Sequence, residues 1–125
     1  MHNVNALASH AAVIHLSIIK SDAVRQAYLH LALSLARNGY DLVSKTHPTA
    51  KNDVHFCRKD GTRPYALIAN QEWALFYFRQ STALPTLEQI PRHLEAKNRT
   101  GPDEVTVRIR NLGDAQWVLL NVESA

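Results

Sequence analysis

A chain of 125 residues, 46% apolar and 20% charged, has the size of one ordinary domain and can close a core without metal or disulfide staples. Fourteen Lys and Arg against eleven Asp and Glu leave a formal charge of +3, too small a surplus to imply nucleic acid by itself. The lone cysteine, Cys57, excludes an intramolecular bridge and points to a reducing compartment, read here as the cytoplasm of a bacterial-type cell.

Residues 1–125 are read as a single soluble domain. The start, Met1-His2-Asn3, lacks the basic region and unbroken apolar run of a secretory signal, so export is not expected. No apolar stretch approaches the roughly 20 residues that span a bilayer, and no membrane association is expected.

Val4, Leu7, Ala11, Ile14 and Ile18 fall at alternating spacings of three and four, which places them on one stripe of a helix. Val13, Leu16 and Ile19 widen the stripe, so this helix should be largely buried. Lys20-Ser21-Asp22 joins a basic last turn to a new cap. A second helix follows, with Val24, Tyr28, Leu31 and Leu35 as its apolar seam and Asn38-Gly39 as its left-handed stop. With so short a connection the two helices should pair antiparallel.

After Gly39 the period becomes strand-like. Tyr40 to Val43 is a weak strand, and Thr46 to Asn52 is a polar loop. Val54 to Arg58, Pro64 to Ala69 and Trp73 to Arg79 are β-rich runs with connections short enough for hairpins, which reads as an antiparallel meander. Trp73 to Phe78 shows no alternation, so this strand should be central and covered on both faces. Thr86 and Gln89 suggest a capping box, but Pro91 interrupts it, leaving a turn and then a short helix from Pro91 to about Lys97, with Leu87, Ile90 and Leu94 inward. Val105, Val107 and Ile109 alternate with Thr106, Arg108 and Arg110; Leu112-Gly113-Asp114 turns, and Trp117 to Val122 returns as the second arm of a C-terminal hairpin. The predicted fold is therefore α+β: an N-terminal antiparallel helix pair on a mostly antiparallel sheet of about five strands, with one short helix inserted before the C-terminal hairpin.

Seven histidines call for a test of metal binding. His10 and His15, five apart, do not share a helix face. His55 and Cys57 share a strand side and His47 could reach them, yet no CxxC, HxxxH or His-Glu spacing supports a site, so no metal or cofactor is expected. A Cys57 thiolate beside Arg58 and Lys59 would have a lowered pKa, but a small apolar filler in a strand accounts for the residue more simply. No Gly-rich phosphate loop and no GxSxG elbow occurs. The aromatic cluster Tyr65, Trp73, Phe76, Tyr77 and Phe78 is read as core, because exposing all of it would leave a large apolar patch.

With no catalytic constellation, the first reading is a small non-catalytic binding module for a protein partner or small ligand. The breadth of the first helix adds homodimerisation through the helical layer or a sheet edge. The alternative is a nucleic-acid binder or small RNase with a basic sheet face. Arg58, Lys59, Arg63, Arg79, Arg108 and Arg110 would meet phosphates there, and His55 or His93 would carry the proton. In outline, a helix pair followed by a meander resembles the small endoribonuclease toxins of bacterial toxin–antitoxin pairs, which cut with Arg, Lys, His and Tyr on the sheet; none of their motifs is present.

Overall fold

The computed structural model describes residues 13–44, 53–79, 84–98 and 103–125. The first half of the predicted first helix, the loop expected at Thr46 to Asn52, and His10 and His47 lie outside these segments. Residues 13–18 are helical and form α1; α2 spans Asp22–Arg37. Ser21 caps α2 by accepting the Val24 N–H on its hydroxyl, and Gly39 ends it at φ +96°, a conformation that favours a residue without Cβ. All four seam residues, Val24, Tyr28, Leu31 and Leu35, are buried.

α1 doubles back along α2: the His15 ring meets Tyr28 edge-on, and Arg25 Nε donates to the Leu16 carbonyl. His15 and Ile19 turn inward, whereas Val13 and Ile14 are exposed. The described end of α1 is thus not the broadly buried helix expected, because a helix at the margin of its layer covers only the side that meets its neighbour.

His15 Nδ1 lies 2.7 Å from the Tyr28 hydroxyl. Burial pushes the His15 pKa down, with the Asp53 carboxylate opposing, and the imidazole of His55 is lowered in the same way. An unfolded histidine takes up its proton near 6.5, so folded-state stability is complete above that pH and falls as the pH drops toward the depressed folded values. The urea midpoint should be lower at pH 5 than at pH 7.5, and His15→Gln should narrow the gap.

The sheet has six strands, one more than predicted: β1 Asp41–Val43, β2 Asp53–Cys57, β3 Tyr65–Ala69, β4 Ala74–Arg79, β5 Lys97–Asn98 and β6 Glu104–Ile109, in the order β1-β2-β3-β4-β6-β5. Every neighbouring pair is antiparallel. Alternation sorts the side chains, so Phe56, Tyr65, Leu67, Phe76, Phe78 and Val107 form the core with α2. The apolar run of β4 obeys the same rule. Its core side carries Ala74, Phe76 and Phe78, while Leu75, Tyr77 and Arg79 face away and Tyr77 and Arg79 are only half-buried. The strand is central, as expected, and Leu75 is buried on the far face as well; cover there is incomplete only at Tyr77 and Arg79.

Downstream of β4 the sequence reading is corrected twice. Residues Pro91 to Lys97 do not form a helix: two single 3-10 turns, Leu87–Gln89 and Arg92–Leu94, are followed by β5. Ile90 and Leu94 are buried as expected, but Leu87 is exposed. Pro91, which lacks an N–H, separates the turns and prevents a continuous helical ladder. The second correction concerns Trp117 to Val122, which does not return as a strand. Leu112–Leu120 is a helix, α3, capped by Asn111, whose side chain accepts the Asp114 N–H at 2.9 Å. The hairpin partner of β6 is β5, which precedes it. α3 packs into the core through Ala115 and Val118 and sets Trp117 edge-on to Phe78. Residues 121–125 are then tied back across the sheet end. Tyr40 donates its hydroxyl to the Glu123 carbonyl, and Tyr65 accepts the Glu123 N–H.

Among the described residues no helix is long and apolar enough to cross a membrane.

Candidate functional site

The sheet face turned away from the helices collects the chemistry-bearing residues, because antiparallel register puts directly paired residues on the same side. One row across it reads Val43, His55, Ala66, Tyr77, Thr106 and Lys97. Beside it, Asp41 pairs with Cys57 and Arg79 pairs with Glu104. His55 and Tyr77 thus flank the small Ala66, with backbones about 10 Å apart at two strand spacings.

His55 Nε2 lies 3.1 Å from Asp53 Oδ2, two residues earlier on the same strand side. Burial holds the imidazole pKa below its ordinary value; Asp53 opposes this, and the Arg79 and Arg63 guanidiniums add to it. The ring is therefore neutral at pH 7, with its proton on Nε2 toward the carboxylate and an acceptor lone pair on Nδ1. Among the described residues that buried Nδ1 has no hydrogen-bond partner.

Arg79 is fixed from two sides. Its Nε donates to Glu104 Oε2 at 2.7 Å, and its guanidinium stands 4.6 Å from the centre of the Tyr77 ring. Arg63 is exposed and, with Arg79, lines a cleft of about 520 Å³ together with Asp60, Gly61 and Thr62. The β2–β3 turn below is set by Gly61 at φ +89° and by Asp60, which accepts both the N–H and the hydroxyl of Thr62. Cys57 is buried, and burial raises its thiol pKa, with Arg63 opposing. The lowered pKa weighed for it from its basic sequence neighbours is not found, and a protonated buried thiol is a poor nucleophile.

The remaining predicted residues do not line that cleft, although Arg108, opposite Leu75, is on the same sheet face. Arg58 and Lys59 line a separate cleft of about 400 Å³ with Gly39, Asp60 and Ala125, and Arg58 reaches Glu123 at 3.9 Å. His93, Arg108 and Arg110 gather around two carboxylates. His93 Nε2 lies 3.0 Å from the buried Asp114, and both arginines pair with Glu95. Arg108 also stacks 4.3 Å from the Trp73 ring centre. The two arginines therefore share one acceptor, as expected for side chains on the same side of the chain. Changing both to Ser should leave the fold intact and alter stability by about 0.5 kcal/mol each, the scale of half-exposed surface positions; a chemical denaturation curve measures this.

The predicted set is thus divided in three, and the residues that organise it were not singled out from the sequence. Asp53 carried a readable signal, a carboxylate two residues from a strand histidine. Glu104 and Glu95 carried none, since their side-chain partners are 13 to 25 residues away in the chain and only the strand order reveals them; Asp114 marks a helix start, but its bond to His93, 21 residues away, was equally hidden. Among the described residues no three His, Cys, Asp or Glu side chains gather as a metal site.

No protein-family model matches the chain, and neither curated proteins nor solved structures give a match.

Proposed function

We propose that the chain is a small non-catalytic binding domain for a protein partner or small ligand, that it works as a homodimer, and that the sheet face turned away from α2 is the binding surface. One observation carries this reading. Of the arginines expected to bind, Arg58, Arg108 and Arg110 are each paired with a carboxylate, Arg79 is paired through its Nε alone, and among the described residues only Arg63 of that set has no ion pair. A nucleic-acid surface draws its affinity from several cations released to meet phosphates. A charge-compensated face with aromatic edges suits a partner or ligand recognised at a few points instead.

The alternative, a nucleic-acid binder or small RNase, is favoured by His93, which is 67% exposed and bonded to a buried carboxylate that could orient it for proton transfer. Labelled short RNA and DNA incubated with the protein at low salt separate the two. The binding reading expects no cleavage and no steep fall of affinity with salt. RNA cleavage lost in His93→Asn or His55→Asn would overturn it.

Dimerisation is supported by Leu29 and Leu33, 41% and 49% exposed one turn apart on the outer side of α2. Sedimentation at micromolar concentration should give a dimer that Leu29→Ser with Leu33→Ser dissociates. A monomeric parent chain would contradict the claim.

A further inference from the structure

We infer that the cleft between Arg63 and Arg79 is a subsite for a small oxyanion, the carboxylate or phosphate group of a low-molecular-weight ligand. The inference rests on the sheet face turned away from α2 being the binding surface.

The cleft is shallow and open to solvent, and its volume of about 520 Å³ admits a small anion at the surface without enclosing it. Its donors are of one kind. Asp60, the carboxylate on its rim, is turned into its own loop, where it accepts from the Thr62 N–H and hydroxyl, so that Thr62 is committed as well. The Gly61 N–H is bonded to the Arg58 carbonyl. The groups left to meet a ligand are the guanidinium nitrogens: all those of Arg63, and the Nη atoms of Arg79, whose described ion pair uses Nε alone. Planar forks of N–H donors match an oxyanion through paired hydrogen bonds.

Arg79 is also held in place before any ligand arrives. Glu104 fixes its Nε and Tyr77 lies under its plane, so little side-chain freedom remains to be lost on binding. Arg63 is the exposed half of the pair.

His55 supplies a reporter. The charged groups acting on it are Asp53 from its own strand, Arg79 from β4 and Arg63 from the β2–β3 connection, and Cys57 and Tyr77 share its face. The two guanidiniums disfavour its protonation. An anion seated between them would offset that effect, and the His55 titration would move upward.

The test uses the full chain, with inorganic phosphate and acetate as separate probes at constant ionic strength set by chloride. Backbone amide shifts and the His55 ring-proton titration are followed by NMR. Saturable shifts at Thr62, Arg63 and Arg79, with an upward move of the His55 midpoint, are expected from at least one probe. Saturation by phosphate alone assigns a phosphate ligand, and saturation by acetate alone a carboxylate. Arg63→Gln should weaken binding at least tenfold. Arg37→Gln, an equal loss of charge at the exposed end of α2, should leave it unchanged. Arg63→Lys, which keeps the charge but not the fork, should fall between.

Shifts that never saturate, or that persist equally in Arg63→Gln, would overturn the subsite. That result would leave the binding reading standing if RNA is still not cleaved, whereas RNA cleavage removes the binding reading whatever phosphate does.

Discussion

Phe76→Ala should cost about 3–5 kcal/mol, the scale for deleting a buried aromatic from a core that cannot collapse around the gap. Phe76 is fully buried at the middle of β4, between Leu67 of β3 and Val107 of β6. Three rings close on it: Phe78 at 5.1 Å, Tyr65 at 5.7 Å and Phe56 at 6.4 Å between centroids. Contacts of this kind add to simple area burial, and domains of this size are stable by only about 5–15 kcal/mol in total. Much of the population should therefore unfold well below the parent melting temperature. Tyr77→Ala, next along the strand on the opposite face, should cost no more than about 1 kcal/mol, as its half-buried ring lies under Arg79 and outside the core. Thermal and urea unfolding followed by circular dichroism compare the two. Equal losses would mean that the face turned away from α2 is as tightly packed as the core, and its reading as a binding surface would fail.

That contrast shows what the sequence could and could not disclose. The meander was legible because Lys59 to Thr62 and Asn70 to Glu72 are turn-forming breaks between β-rich runs. The α2 seam was legible because Val24, Tyr28, Leu31 and Leu35 keep helical spacing up to a glycine stop. The run Trp73 to Phe78 hid its own alternation, since residues on both sides of β4 are aromatic or aliphatic and hydropathy cannot tell Phe76 from Tyr77. Only the register, which sets Phe76 opposite Val107 and Tyr77 opposite Thr106, separates core from surface. The site failed to show for a related reason. Arg79 and Glu104 look like unrelated surface charges until β4 and β6 become neighbours, and Arg58 and Arg79 reach the same end of the sheet but line different clefts there. His55 with Asp53 was the exception, a local pair readable from the two-residue period of a strand.

The C-terminal segment was misread because its apolar residues satisfy both periods, and the deciding signal was a polar one. Ala115, Val118 and Val122 fit a helix face, while Trp117 to Val122 as a block reads as strand; Asn111 followed three residues later by Asp114 is the start signal that settles it. Asp114 should therefore dominate this region. It is buried, with one carboxylate oxygen accepting the Arg110 N–H at 2.9 Å and the other 3.0 Å from His93 Nε2. Asp114→Ala removes both acceptors and leaves the part-buried Arg110 N–H unpaired. A cost of about 2–3 kcal/mol is expected, the range for losing hydrogen bonds to a charged group. Asn111→Ala, which removes only the cap, should cost about 1 kcal/mol. His93→Ala should cost less than Asp114→Ala, because the histidine is mostly exposed and the Arg110 bond survives without it. Asp114→Asn keeps an oxygen for that N–H but loses the negative charge at the helix start, so it should fall between the two Asp114 extremes. Tryptophan fluorescence gives a local reading beside global unfolding, since loosening α3 withdraws Trp117 from Phe78. If Asp114→Ala proved no worse than Asn111→Ala, the bonds to Arg110 and His93 would carry no stability of their own. The capping turn alone would then hold α3 on the sheet, and His93 would be free of any structural duty that competes with proton transfer.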